Sequence, residues 1–339
     1  MHPRKASITT LAKATGLSSA TVSRALAGAA SVLPETRDKV LQAARAQHYV
    51  RDRAAVHLKT GKTHTLAFIQ DRQDATQLGF KDFLLGLGDA LQGTDYHLIV
   101  LPQIAGNNTP NSALDSVQYV IERGLADGLV LTYTAPQDAR VRWLQDQGFP
   151  FVTYGRTALP AHDSVDFANE SFAAMAVATL AAQGRTRLGI LLPAPGTTFA
   201  QHLADGFARA CLQSGVAGEC IAAVTLDDSP EAIYQWGRAQ ATGFDGLVLT
   251  REAPVLPLLS ALADGGLQVG PGHHMELVVK YSSPLPRYIR QPFWACFEDM
   301  HRAGQALGSR MLARFAQPEL PASQTLFSPP TLELFHATS

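Results

Sequence analysis

The stretch from Ile8 to Tyr49, ITTLAKATGLSSATVSRALAGAASVLPETRDKVLQAARAQHY, constrains this chain more than any other. Its apolar residues recur at helical spacing in three short blocks, which predicts three helices closed around a small core. Ile8, Leu11, Ala12 and Ala14 form the inward stripe of the first. Thr15-Gly16-Leu17-Ser18 is the turn: Gly16 takes the positive φ that a reversal needs, Leu17 plugs the core, and Ser18 caps the next helix. That second helix runs from about Ser19 to Leu26. Val22, Ala25 and Leu26 face inward, leaving Ser19, Ala20, Ser23 and Arg24 outside. Pro34-Glu35 opens a third helix, with Val40, Leu41 and Ala44 as its core face. Short side chains followed one turn later by an arginine suit the DNA major groove, where a guanidinium makes a bidentate contact to guanine. The competing reading is a three-helix cap with Arg24 merely solvated.

Charge separates along the chain in the same way. Residues 1–62 hold 11 Lys and Arg against 3 Asp and Glu, a net of +8; the remainder holds 17 against 26, a net of −9. A basic module tied to an acidic body is the layout of a protein whose one end meets phosphates. The 339 residues suit two or three domains, and 46% apolar with 17% charged residues is a globular balance. No apolar run approaches the ~18 residues of a membrane helix. The N-terminus has no apolar signal segment, so a cytoplasmic location is expected. Cys211, Cys220 and Cys296 are too few and too scattered for a disulfide framework.

The run LAKATGLSSATVSRAL, then VLPETR, VLQAA and His48-Tyr49, closely resembles the headpiece of LacI/GalR-family transcription regulators. The resemblance implies that Ser19, Ala20 and Arg24 read bases, while Thr10, Ser18, Thr21 and Ser23 position the backbone. It also implies a hinge helix within residues 51–62, whose Leu58 wedges into the minor groove of a dimer-bound operator. The chain departs from the family here, with Arg51-Asp52 where Pro-Asn is usual. No cofactor and no metal are implied.

From Thr63 short apolar strands alternate with helices, which predicts parallel sheets covered on both faces. The expected fold class is an all-α helix-turn-helix headpiece (1–50) and a linker (51–62) on an α/β two-lobed, periplasmic-binding-protein-like core (63–339). Lobe one is placed at about 63–162 and 291–320, lobe two at about 163–290 and 321–339. Strands are expected at Thr65–Ile69, His97–Leu101, Gly128–Leu131, Phe151–Tyr154, Leu188–Leu192, Cys220–Thr225, Leu247–Leu249 and Leu277–Val279. Met300–Phe315 is a helix returning to lobe one, and 318–330 is extended.

In such a core a ligand sits between the lobes at the carboxyl ends of strands. That rule and the resemblance nominate Asp71, Phe80, Arg156, Asn169, Gln201, His202, Arg251, Glu252 and Lys280. Gly86, six residues after Phe80, matches a family glycine. Several family hooks are replaced: Ala168 stands for an aspartate that Asp166 is not expected to replace, Leu203 for an arginine, and Lys280-Tyr281-Ser282-Ser283 for Gly-Phe-Asp-Asp. The expected effector is a carbohydrate, and the expected assembly a homodimer on double-stranded operator DNA. Two rivals share parts of this pattern: a regulator whose lobes only dimerise, and a transport-type sugar-binding protein, which would lack Ile8–Tyr49. An enzyme fits poorly. GRTRLG at Gly184–Gly189 is too polar for a phosphate loop and precedes a strand. No G-x-S-x-G turn occurs, and His273-His274 have no metal-spaced partner.

Overall fold

In the computed structural model, which describes residues 6–26, 28–49, 60–71, 77–103 and 112–335, the chain divides into two units, 1–63 and 64–339. Helices α1 (Ile8–Thr15), α2 (Ser19–Leu26) and α3 (Pro34–Ala46) build the first. Ser7 caps α1 in a reciprocal box: Thr10 N donates to Ser7 Oγ at 3.2 Å and Ser7 N to Thr10 Oγ1 at 2.8 Å. Gly16 ends that helix at φ 70°, and Ser18 Oγ accepts from Thr21 N at 3.1 Å to start α2. Leu11, Val22, Ala25, Val32, Val40 and Ala44 form the core. One expected core residue is displaced. Ala14 is exposed and Thr15 is buried in its stead, because the Thr15 hydroxyl donates to Leu11 O at 2.7 Å and so needs no water. The hinge expected at residues 51–62, Leu58 included, lies almost wholly outside the described residues.

The second unit holds two six-stranded sheets. Sheet one contains β1 (Thr65–Gln70), β2 (His97–Pro102), β3 (Gly128–Leu131), β4 (Phe151–Tyr154), β5 (Ser164–Phe167) and β11 (Gln324–Phe327), in the order β11-β5-β4-β3-β1-β2. Sheet two contains β6 (Arg187–Leu191), β7 (Ala217–Cys220), β8 (Gly246–Leu249), β9 (Glu276–Tyr281), β10 (Phe293–Phe297) and β12 (Glu333–Phe335), in the order β12-β10-β9-β8-β6-β7. Every pairing is parallel except the antiparallel edge β10–β12. The central strands are apolar on both faces. In β3, Leu129 and Leu131 feed one cluster and Val130 the other; in β8, Leu247 and Leu249 part from Val248 likewise. Helices α4 (Phe80–Leu91), α5 (Ser112–Glu122), α6 (Ala139–Gln147) and α11 (Met300–Ala316) belong with the first sheet. Helices α7 (Asn169–Ala182), α8 (Thr198–Ser214), α9 (Pro230–Gln240) and α10 (Val255–Asp264) belong with the second.

The lobe boundaries differ from those expected. Ser164–Phe167 pairs with β4 and stays in sheet one, so the first crossing falls at Ala168 and not at 163. Phe293–Phe297 pairs with β9 in sheet two, so the second crossing follows Phe297 and not residue 290. Gln324–Phe327 pairs with β5, which keeps the segment after α11 in sheet one before a third crossing to β12. These strands contain Ser, Asp, Trp, Cys and Gln, and their apolar signal is too short to read without the partner strand beside them. The expected strand Cys220–Thr225 is also corrected. It lies earlier, at Ala217–Cys220, as a fully exposed edge, and α9 went unforeseen.

The return helix α11 lies against α4, and two glycines permit that approach. A Cβ on Gly86 would overlap the His301 carbonyl, and one on Gly304 the Phe83 carbonyl. Backbone has no rotamer with which to yield. Gly304→Val is expected to lower stability by at least about 1–3 kcal/mol, read as a lower urea midpoint with unchanged slope; an unaltered midpoint would mean that the helices separate at no cost.

Candidate functional site

The outward face of α2 carries no acidic residue. Ser19, Ala20 and Arg24 are exposed and Ser23 is half-buried, while Val22 and Ala25 anchor the helix from behind. Arg24 Nε donates weakly to Ala20 O at 3.4 Å, leaving the rest of the fork to solvent. Ser18 and Thr21 share a hydroxyl contact of 2.9 Å at the start of α2, and Ser7 and Thr10 place two more hydroxyl groups at the start of α1.

Between the two sheets lies a cleft at the carboxyl ends of the strands, with about 620 Å³ of free space, mouth included. Lobe one contributes Gln77, Phe80, Phe83, the triplet Thr132-Tyr133-Thr134 after β3, Tyr154-Gly155 after β4, and Asp166. Lobe two contributes Asn169, Phe199 and Arg251; Glu298 and Met300 come from the second crossing. Five aromatic rings line it alongside two carboxylates and one guanidinium.

Tyr133 adopts φ 50°, an uncommon backbone for a bulky residue. Arg140 holds it there, donating to Thr132 O at 3.0 Å and Tyr133 O at 3.2 Å while paired with Asp138 at 2.7 Å. Burial pushes the Asp138 carboxyl up. The Arg140 bonds and two backbone N–H groups outweigh that and hold it below its ordinary value. In this pose the Tyr133 hydroxyl donates to Gln77 Oε1 at 3.2 Å, and its ring lies 5.6 Å from the Arg251 guanidinium. Phe199 stands at the same distance from Arg251, whose Nη1 donates to Asp227 at 2.9 Å.

Behind the wall, Lys280 is 2% exposed. Its ammonium meets Glu298 Oε2 at 2.9 Å and Asn169 Oδ1 at 2.8 Å, and lies 4.5 Å from the Phe199 ring centroid. The other Glu298 oxygen accepts from the Tyr154 hydroxyl at 2.6 Å; burial first, and that carboxylate second, raise the Tyr154 pKa well above its ordinary value. At the rim Arg156 Nε donates to Asp166 at 2.7 Å, and its terminal nitrogen to Glu170 at 2.9 Å. His202 Nδ1 lies 3.0 Å from the same nitrogen. These four residues span the lobes, as does the bond from Thr198 N to Thr134 O at 2.7 Å.

Of the nine residues nominated from the sequence, Phe80, Asn169 and Arg251 line the cavity. Lys280 lies behind it, and Arg156 and His202 form the rim cluster. Asp71 follows β1, faces the Gln103 amide and does not line the cavity. Glu252 is a strut, its carboxylate accepting from Ser282 N at 3.2 Å. Gln201 lines a second cavity, with Pro136, Pro195 and Cys220. Two residues of α8, roughly 200° around the helix, separate Gln201 from Phe199, so the two face different cavities. Asp166, discounted from the sequence, reaches the cavity because β5 belongs to sheet one and ends there. Tyr133 follows β3 and Tyr154 ends β4, strands legible in the sequence, and both were open to the same rule; Glu298 was hidden with β10.

Residues 7–52 match the family of bacterial regulatory proteins, lacI family. The HTH-type transcriptional regulator AglR of Rhizobium meliloti (strain 1021) is 30% identical over 210 residues, 61% of this chain, so the match spans 58% of AglR's own length. The lac repressor dimer bound to operator and the anti-inducer ONPF shares the fold at TM-score 0.82 and 17% identity, covering 99% of this chain and 100% of that one. The transcriptional regulator CelR in its cellobiose complex does so at 0.67 and 17%, covering 97% and 98%.

The rim cluster sets a pH dependence. Burial first, then Arg156, lower the His202 pKa, and Glu170, Asp166 and Asp205 only partly oppose them. A folded pKa below the unfolded value of 6.5 gives stability that is complete above 6.5 and lost as pH falls through it. The melting temperature is expected to fall between pH 7.5 and 5.5, and His202→Gln to flatten part of that slope. Buried His162, lowered likewise, keeps the rest; identical slopes would remove His202 from the cluster's energetics. The chain thus carries a headpiece that matches the lacI family over residues 7–52, on a core that shares the lac repressor fold.

Proposed function

We propose that this protein is a sequence-specific DNA-binding regulator that represses carbohydrate uptake or catabolism genes as a homodimer on a pseudo-palindromic operator. The observation that carries the reading is the α2 face: short side chains at Ser19 and Ala20, an uncommitted Arg24 fork, and no acid among them. Ser19, Ala20 and Arg24 read base edges; Thr10, Ser18, Thr21 and Ser23 fix the register on phosphates; Leu58 wedges the minor groove. Exposed Leu85 on α4, and Leu285 and Tyr288 after β9, are apolar positions available to a second copy. Residues 1–50 serve as headpiece, 51–62 as hinge and 63–339 as the sensing and dimerising core. No helix among the described residues is long and apolar enough to cross a membrane, and the proposed work is cytoplasmic and non-catalytic.

The effector in this reading is a carbohydrate bound between the lobes. Aromatic faces take the apolar side of a sugar ring, and Asp166, Glu298, Asn169 and Arg251 take its hydroxyls. The lobes then close or separate, which alters the spacing of the two headpieces. CelR, which shares this fold, is found in complex with cellobiose, which lends this reading support by likeness.

Fluorescence anisotropy on labelled promoter fragments tests the assignment. Arg24→Ala is expected to cost roughly 1–3 kcal/mol on the operator and little on random duplex. Equal loss on both would make Arg24 a phosphate contact. No preference of the intact protein for any promoter over bulk DNA would end the reading.

A further inference from the structure

We propose that the cleft selects by charge: it takes uncharged sugars and rejects their phosphorylated or acidic counterparts, with Glu298 as the deciding acceptor. This rests on the carbohydrate reading above.

The polar groups of the cleft are unevenly committed. Lys280 is the strongest cation nearby, yet its ammonium is consumed by Glu298, Asn169 and the ring faces of Phe199 and Phe167, and it is 2% exposed. It does not line the cavity. Arg156 is consumed by Asp166 and Glu170. Arg251 lines the cavity, but Asp227 already neutralises it at 2.9 Å. Its Nε is buried with no hydrogen-bond partner in the structure. What the charged groups leave for a ligand is therefore the spare N–H donors of one already neutralised guanidinium, set against acceptor sites on two carboxylates.

That surplus sits on two carboxylates. A carboxylate offers about four acceptor sites. Glu298 uses one for Tyr154 at 2.6 Å and one for Lys280 at 2.9 Å. Asp166 uses its sites for Arg156 at 2.7 Å and its neighbour's backbone N–H, Phe167 N, at 2.8 Å. Both still face the cavity. A sugar hydroxyl can donate to them and accept from Arg251. The phosphate dianion of a sugar phosphate, or the carboxylate of a uronate, has no proton to donate there and would meet two carboxylates across a low-dielectric gap. The Lys280–Glu298 pair thus presents an anion to the ligand while keeping its own cation out of reach.

The full-length protein is tested by thermal shift and calorimetry against glucose, maltose and cellobiose, and against glucose 6-phosphate and glucuronate. The expected result is a neutral sugar that raises the melting temperature and binds at least tenfold more tightly than either anion. Glucose 6-phosphate or glucuronate binding as tightly as any neutral sugar would overturn the charge selection and leave the carbohydrate reading standing. Silence from all five, with operator binding intact, would instead overturn the carbohydrate reading and this proposal with it. The wild-type comparison needs no variant. Lys280→Met with Glu298→Gln removes both charges together, so that neither is stranded. With a native circular dichroism spectrum, the double variant is expected to lose at least tenfold in neutral-sugar affinity and to narrow the ratio between neutral and acidic sugars. An unchanged ratio would show that Glu298 does not decide it.

Discussion

A lysine ammonium at 2% exposure governs how the rest of the core must be arranged. Desolvating such a group costs several kcal/mol unless an anion and further acceptors stand at hydrogen-bond distance. The partners of Lys280 come from separate parts of the chain. Asn169 follows the first crossing between the sheets, Glu298 opens the second, and Tyr154 completes Glu298 from lobe one. None lies near Lys280 in sequence, so the charge is satisfied only once both sheets and both crossings are in place. Removing one partner of such a pair costs about 3–5 kcal/mol, chiefly because the other is left buried and unpaired. The cleft wall is thus conditional on the whole core.

Asp163 plays the matching part at the far end of sheet one. It pairs with Arg310 at 2.7 Å and Arg314 at 2.8 Å and accepts from Ser323 N at 2.8 Å. The return helix and the strand that follows it are thereby tied to β5. With Gly86 and Gly304 holding α11 against α4, the second crossing emerges in a defined place. Glu298 and Met300 therefore reach the cleft from a rigid support.

On the opposite wall, the strained Tyr133 is held by Arg140 and Asp138, both nearly buried. A residue kept in a sparsely populated conformation persists only where its surroundings over-determine it, and such positions gather at ligand clamps. The stretch from Thr132 to Thr134 touches lobe two at Arg251 and at the start of α8. The rim adds a cluster that spans the lobes through Arg156, Glu170 and His202. The lobes therefore meet through short-range polar contacts, and these are the contacts that the proposed closure must rearrange. That is what a two-state sensing element needs.

The sequence alone determined the headpiece, because its caps, turn glycine and apolar spacing act within a dozen residues and leave one arrangement for Ser19, Ala20 and Arg24. It also determined the alternating order of the core, since strands apolar on both faces announce themselves without a partner. The ends β3 and β4 were read to the residue. What only the tertiary structure decided was where the chain changes sheets and which polar groups then meet. Strands β5, β10 and β11 become strands through the neighbour they pair with, so Asp166 and Glu298 had no visible address. Arg156 and Lys280 looked like free ligand hooks, and folding committed them to carboxylates instead. Helical and strand periodicity reports which way a side chain points; the partner it meets there is set by the tertiary fold, whether it lies 10 residues away, as Asp166 does from Arg156, or 144, as Glu298 does from Tyr154.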